Sequence, residues 1–351
     1  MKNIFIAILF FYTILPAQNE ITNFLVGPLN DTEKLLEGYM SPLGAWFGSG
    51  LNAGWYNTAR PHTFPGFDVT GGVHFITPSE EAMSFKPILN ELIISPNNNG
   101  ELPTFLGSNE QTEIGFENPI TGEFEKLKDA PGGLGWNYAI PMPYLQGSIG
   151  LIKNTEILFR IAPPIEIEDL EMSFWGLGFK HDIKQWIPAV KTLPFDLSFL
   201  AAYSKLNSNL SFSNSQELDF NIKSFNSNII LSKKVLGLTP YIGLGYQYST
   251  SNLSLSGDYN IDGWDGQQII SDQQITVSDP FDFSFGGVNG LKANIGARLK
   301  LLLFTVHAEW TMAEYNIFSI GIGLNSDFGS KLVSKATKQR TTKNKDTGDD
   351  N

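Results

Sequence analysis

Between residues 290 and 328 the chain alternates strictly between apolar and polar residues, in three segments separated by two tight reversals. Over 290–300, Leu291, Ala293, Ile295, Ala297 and Leu299 share one face, against Lys292, Asn294, Gly296, Arg298 and Lys300. Over 304–310, Phe304, Val306, Ala308 and Trp310 oppose Thr305, His307 and Glu309. Phe318, Ile320, Ile322, Leu324 and Phe328 then oppose Ser319, Gly321, Gly323, Asn325 and Asp327. A period of two is the signature of a β-strand, whose successive side chains point to opposite faces. In a soluble sandwich the apolar face is core; in an outer-membrane barrel it faces lipid and the polar face lines the lumen. The pattern alone leaves both open.

The start of the chain separates them. Lys2 followed by the apolar run 4–15 has the form of a secretory signal, too short to span a bilayer, with cleavage expected after Ala17. No later apolar run approaches the ~20 residues of a membrane helix. An exported chain without a spanning helix is periplasmic, secreted, or a barrel. The 351 residues contain no cysteine, which excludes disulfides, thiolate metal sites and cysteine nucleophiles. The net charge of −12 excludes a sequence-independent nucleic-acid binder, which needs a basic surface.

Alternation recurs along the body, at 67–76, 144–152, 155–162, 171–180, 194–207, 218–233 and 241–255. With the three C-terminal segments this makes ten well-placed strands. Counted back from Phe328, the connections 301–303, 236–240, 181–193 and 153–154 fall on one side, and the long stretches 77–142 and 257–289 on the other. Short turns on the periplasmic side and long loops outside is the rule for bacterial barrels. Residues 181–193 (HDIKQWIPAVKTL) carry Ile183, Trp186, Ile187 and Val190 at helical spacing, which predicts a short amphipathic helix at one rim. The stretch 77–142 has room for a further hairpin around 85–95 and 111–126, and 257–289 for a weaker strand at 268–277. The expected fold is therefore all-β: a transmembrane antiparallel β-barrel of ten to fourteen strands, with a short helical and irregular plug segment. The divisions are a signal peptide over 1–17, the plug over 18–60, the barrel over 61–328 and a disordered tail over 329–351. Within the plug, 33–38 is a short helical stretch and 41–56 is rich in Gly and aromatics. The tail sets six basic residues against three acidic ones with almost nothing apolar.

Candidate functional residues are few. Arg298, His307 and Glu309 share the polar face of adjacent strands; a hairpin centred on Leu302 and Leu303 sets Arg298 opposite His307 and diagonal to Glu309. Such a cluster either binds a polar group in the lumen or satisfies its own charges as an internal ion-pair network, the commoner case. Trp46, Phe47, Trp55 and Tyr56 either coat a path for an apolar ligand or pack the plug against the wall. Asp258, Asn260 and Asp262, followed by Gly263, match the opening of a calcium loop, but Ile269 stands where the bidentate Glu belongs, which favours a solvated acidic loop and no metal. His62, His74, His181 and His307 show no metal-ligand spacing, and no nucleophile elbow, HExxH or Walker loop is present, so neither catalysis nor a cofactor is expected.

The segments LPTFLG (102–107) and PGGLG (131–135), the prolines Pro141 and Pro143, KHDIKQWIPAVKTLP (180–194) with the following FDLSFLAAYSKL, and GARLKLLLFTVHAEWTMAEYN near the C-terminus resemble an uncharacterised family of Gram-negative outer-membrane proteins. That resemblance implies outer-membrane location and a barrel fold, and no activity. A fainter one is to the long-chain fatty-acid transporter barrels, whose Gly- and Ala-rich hatch leads to an Asn-Pro-Ala motif. Here residues 56–59 read Tyr-Asn-Thr-Ala, with Thr58 in place of the proline, and no binding residue transfers. The reading is an outer-membrane barrel that passes small hydrophobic molecules, its partners being outer-membrane lipid and such a molecule. The alternative is a non-transporting surface or envelope-structural barrel whose acidic outer loops bind a partner. A soluble β-sandwich stands third.

Overall fold

The computed structural model describes residues 24–25, 28–135, 139–167, 169–213, 215–264 and 269–326. The expected signal and tail lie outside these residues. Ten antiparallel strands close into a barrel: β1 (Phe67–Thr77), β2 (Ile140–Leu151), β3 (Thr155–Ile167), β4 (Leu170–Asp182), β5 (Asp196–Ser213), β6 (Gln216–Ser232), β7 (Leu238–Ser256), β8 (Phe281–Leu301), β9 (Phe304–Met312) and β10 (Asn316–Ser326). Each pairs with its neighbour in sequence, and β1 closes the ring against β10, from Phe67 opposite Ser326 to Thr77 opposite Asn316.

Closure decides which face is inside. On β9, Thr305, His307, Glu309 and Thr311 are buried in the lumen, while Phe304, Val306, Trp310 and Met312 are exposed. Nine residues suffice for a tilted strand to cross a bilayer, which takes about nine to eleven. Apolar outside and polar inside excludes the soluble sandwich: this is a transmembrane barrel of the outer-membrane type.

The long strands β5 to β8 reverse that pattern along their own length. In the lower part of β6, Phe225 and Ile229 face out, and Ser224, Asn226 and Asn228 face in. Toward the upper end Leu218, Phe220 and Ile222 are buried inside, and Glu217, Asp219, Asn221 and Lys223 are outside. The reversal falls at comparable heights on β5 (Tyr203 below, Lys205 above) and β7 (Tyr248 below, Thr250 above). It marks the level at which lipid gives way to water, and the aromatics there form the girdle such barrels carry. Above it the wall continues as a water-exposed barrel with an apolar interior.

The apolar interior is filled by one helix, α1 (Leu29–Asn52), whose Leu35, Leu36, Tyr39, Leu43, Trp46, Phe47 and Leu51 join the inward Leu206, Phe220, Leu253, Phe285 and Val288 in a single cluster. Each such side chain, fully buried, contributes roughly 1.5–3 kcal/mol. The outer insertion between β1 and β2 closes over the top. Its backbone N–H groups at Asn90, Glu91 and Leu92 donate to the Asp31 carboxylate at 2.8–3.0 Å, and Tyr39 donates to the Gly132 carbonyl at 2.8 Å. The chain therefore descends the lumen from the long-loop end, and residues 53–66 carry it to the opposite rim, where β1 begins. No helix among the described residues is long and apolar enough to cross a membrane, which says nothing of strands.

Four expectations are corrected. The plug is a helix of 24 residues, far longer than 33–38, and it continues through Pro42 because the continuous burial of Leu43–Asn52 beyond it outweighs the one lost hydrogen bond. Residues 181–193 hold a 3₁₀ turn, Lys184–Trp186, after β4 runs on to Asp182, and then irregular turns from Ile187 to Leu193; Pro188 between them limits any helix. The stretch 257–289 is no simple loop. Asp258–Trp264 pairs with Ile269–Ser278 as a hairpin outside the barrel, and residues 281–289 already belong to β8. Within 77–142 the expected pairing of 85–95 with 111–126 occurs as Ile93–Ile94 against Thr112–Glu117, but with Phe124–Ala130 it forms a small outer sheet and adds nothing to the barrel's ten strands.

Candidate functional site

The polar lower lumen is where α1 ends, and its wall is built to hold that end. The last carbonyls of a helix have no partner within it and attract cations. Lys292 on β8 donates to the Asn52 carbonyl at 2.6 Å, and Arg160 on β3 donates to those of Ala53 and Gly54 at 2.7 and 2.8 Å. Arg160 also donates to Gln146 Oε1 from Nε at 3.1 Å and from Nη2 at 2.8 Å. Its guanidinium centre lies 4.3 Å from the Trp55 ring and 4.6 Å from that of Tyr144. It is fully buried, so these contacts replace the water it has lost.

Below, Glu156 gathers the descending segment. Its Oε1 accepts from His62 Nδ1 at 3.0 Å, its Oε2 from the His62 backbone N–H at 3.1 Å, and Lys180 Nζ stands 2.8 Å from Oε2. Asn325 bridges onward, donating to His62 Nε2 and, at 2.9 Å, to Asp68. Ser232 accepts from the Ala59 N–H at 3.0 Å, and Ser198 donates to the Ala59 carbonyl. A cavity of about 130 Å³ opens beside this segment, lined in part by Thr58, Arg60, Asp196, Lys234 and Arg298.

Arg298, His307 and Glu309 do share the lumen face, with Arg298 opposite His307 and Glu309 one step along, opposite Gly296. Their hydrogen bonds run to other groups. Arg298 donates to Asn57 Oδ1 at 2.9 Å; His307 Nε2 lies 3.2 Å from the Tyr144 hydroxyl; Glu309 accepts from Asn294 at 2.8 Å and Thr311 at 3.1 Å. The four aromatics divide. Trp46 and Phe47, edge to face at 4.6 Å, belong to the upper cluster. Trp55 and Tyr56 belong to a lower one with Leu200, Ile230 and Tyr241, and the Tyr56 hydroxyl donates to Asn294 at 2.7 Å. Asp258, Asn260 and Asp262 sit on an extended strand, where Asp258 accepts from Ser278 and Asn260 from Thr276.

Arg160, Glu156, Lys180, His62 and Lys292 escaped the sequence reading as site residues. The available signal was charge on an inward face: Glu156 and Arg160 alternate with the lipid-facing Ile157, Phe159 and Ile161, and a charge there must find a partner.

A family model described as a family of unknown function (DUF6588) matches residues 1–326. The chain belongs to that family. No curated protein matches it. Among solved structures, Ail, the attachment invasion locus protein of Yersinia pestis, is 8% identical with a TM-score of 0.25, covering 75% of this chain and 98% of that one. The translocator domain of the autotransporter NalP from Neisseria meningitidis is 11% identical (TM-score 0.27; 79% and 90% covered). The Pseudomonas putida toluene transporter TodX is 7% identical (TM-score 0.26; 84% and 97% covered). At such scores these likenesses carry no functional argument.

Proposed function

We propose that this barrel passes small hydrophobic molecules across the outer membrane, with α1 as the movable element of a closed path. The carrying observation is a seam in the wall. β2 and β3 pair from Leu151–Thr155 only up to Leu145–Ile161, although β2 continues to Ile140 and β3 to Ile167. Pro141 and Pro143 on one strand and Pro163 and Pro164 on the other have no N–H to give a ladder, and β3 bulges against β4 between Ala162 and Ile165. The unpaired stretch begins at the upper edge of the apolar belt, and behind it lies the apolar cluster around α1, which Met142 and Ala162 join. A hydrophobic molecule at the lipid boundary would thus meet the larger apolar cluster of the lumen.

The test uses the chain's lack of cysteine. A Cβ on Gly44 would lie 3.3 Å from that of Ser251, close to disulfide spacing, so G44C/S251C can staple α1 to β7. Proteoliposomes should take up a labelled fatty acid faster than protein-free vesicles; oxidation of the double variant should remove the difference and reductant restore it. Uptake equal to that of protein-free vesicles overturns the proposal.

A second reading, a surface protein that binds a partner outside, is favoured by the hairpin 258–278, whose described strands pair with each other as a sheet separate from the barrel, anchored at its base by the buried Tyr259. Deleting it should abolish partner or cell binding and leave uptake intact.

A further inference from the structure

The rim of short connections is apolar at the positions where water-facing turns are ordinarily polar. The four connections 152–154, 183–195, 233–237 and 302–303 each project a large apolar side chain: Ile152 is 76% exposed, Trp186 66%, and Leu236 and Leu302 92% each. Leu236 and Leu302 both have φ of +58°, a left-handed conformation that glycine adopts freely and a branched side chain does not. A leucine there strains the backbone and, at that exposure, touches almost nothing of its own chain. In water it would be unfavourable on both counts.

The same rim is basic in a chain whose net charge is −12. Lys153, Lys191, Lys233, Lys234 and Arg60 are exposed on it, against the half-buried Asp182 and Asp196. The lysines flank the apolar tips directly, as Ile152-Lys153 and as Lys233-Lys234-Val235-Leu236. The belt is continuous with the tips, since Leu301 and Phe304 on either side of the 302–303 turn also face out. Apolar side chains beside cations at the end of an apolar belt match a bilayer boundary, where aliphatic groups reach acyl chains and ammonium groups reach phosphates.

We propose that this rim is a lipid-binding surface for anionic phospholipid of the adjoining leaflet. The Ile, Trp and Leu tips sit among the acyl chains, and the lysines hold the headgroup phosphates. The proposal rests on the transmembrane barrel and is independent of whether the barrel transports anything.

The test places the full-length protein in nanodiscs of phosphatidylethanolamine and phosphatidylglycerol. A single environment-sensitive dye on L302C or L236C should emit blue-shifted light, with acyl-chain spin-labelled lipid quenching it several-fold better than aqueous iodide. A dye quenched by iodide and untouched by the lipid quencher overturns the proposal. Phosphatidylglycerol should be enriched around the protein over the bulk mixture, and K153Q/K191Q/K233Q/K234Q should lose that enrichment; the same enrichment in the variant, or none in the parent, overturns the role of the lysines. L302G separates lipid from fold. Relief of the left-handed strain should leave its unfolding temperature in detergent unchanged or higher while reducing the gain in unfolding temperature on moving from detergent to nanodisc. An equal loss in both media would make the leucine a residue of the fold and overturn the idea.

Discussion

Gly48 of α1 lies so close to Ser249 of β7 that a Cβ on the glycine would stand 2.7 Å from the serine Cβ and 2.1 Å from its hydroxyl oxygen. With Gly44 against Ser251 one turn earlier, the helix rests on the wall through a pair of missing side chains. Gly48→Leu should force the helix off β7 at a cost of roughly 1–3 kcal/mol or more, as overpacking does. Because the barrel strands keep their own ladders, the variant should still fold as a barrel while gaining ion conductance in planar bilayers. Unchanged conductance would mean that the outer insertion seals the lumen without the helix.

Removing Arg160 should loosen the other end. Arg160→Met leaves the Ala53 and Gly54 carbonyls without their donor, each a loss of about 1–3 kcal/mol where water cannot replace it. The heat needed to unfold the barrel should fall, and transient openings should appear in single-channel records. Arg160→Lys should recover little, because an ammonium cannot span the carbonyls and Gln146 together as the guanidinium fork does.

Glu156 and Lys180 form a buried pair, each side chain no more than 3% exposed. Glu156→Leu alone strands the Lys180 ammonium and should cost about 3–5 kcal/mol. The double variant E156L/K180M removes both charges and should be distinctly less destabilised than E156L. A double-mutant cycle on unfolding temperatures in detergent measures this; additive losses would show that the two groups are not energetically coupled.

The closed ring has no free edge and should resist detergent. Unboiled protein from the outer-membrane fraction should run at a different position on a gel from boiled protein. A single position for both, with the protein in the soluble fraction, would overturn the membrane assignment.

The strand pattern was legible because it depends only on neighbours in the chain. The alternation through β8, β9 and β10 gave the faces and the Arg298–His307 register directly, since a hairpin centred on Leu302 and Leu303 admits no other. Of the helix only 33–38 was legible. Gly44, Gly48, Gly50 and Pro42 are poor helix formers, and the second half of α1 persists because its surroundings bury it on every side from Leu43 to Asn52. The partners of the lumen charges were hidden for a related reason. Arg298 meets Asn57, and Arg160 meets Ala53 and Gly54, across separations in sequence of 241 and about 106–107 residues. No local rule predicts a contact between a strand and a segment threaded past it.

By itself the sequence determined that ten segments are strands, that each has an apolar and a polar face, and that successive ones are joined as hairpins; these follow from a two-residue period and from turn lengths. That the polar face lines the lumen was expected of a barrel; the tertiary structure alone decided that the faces exchange above the belt, because that depends on whether lipid or water meets the closed wall. It also decided that the lumen is occupied. A polar-lined barrel is a pore or a plugged one according to what the rest of the chain can bond to, and here the charges of β3, β4 and β8 found the end of α1 and the segment that follows it.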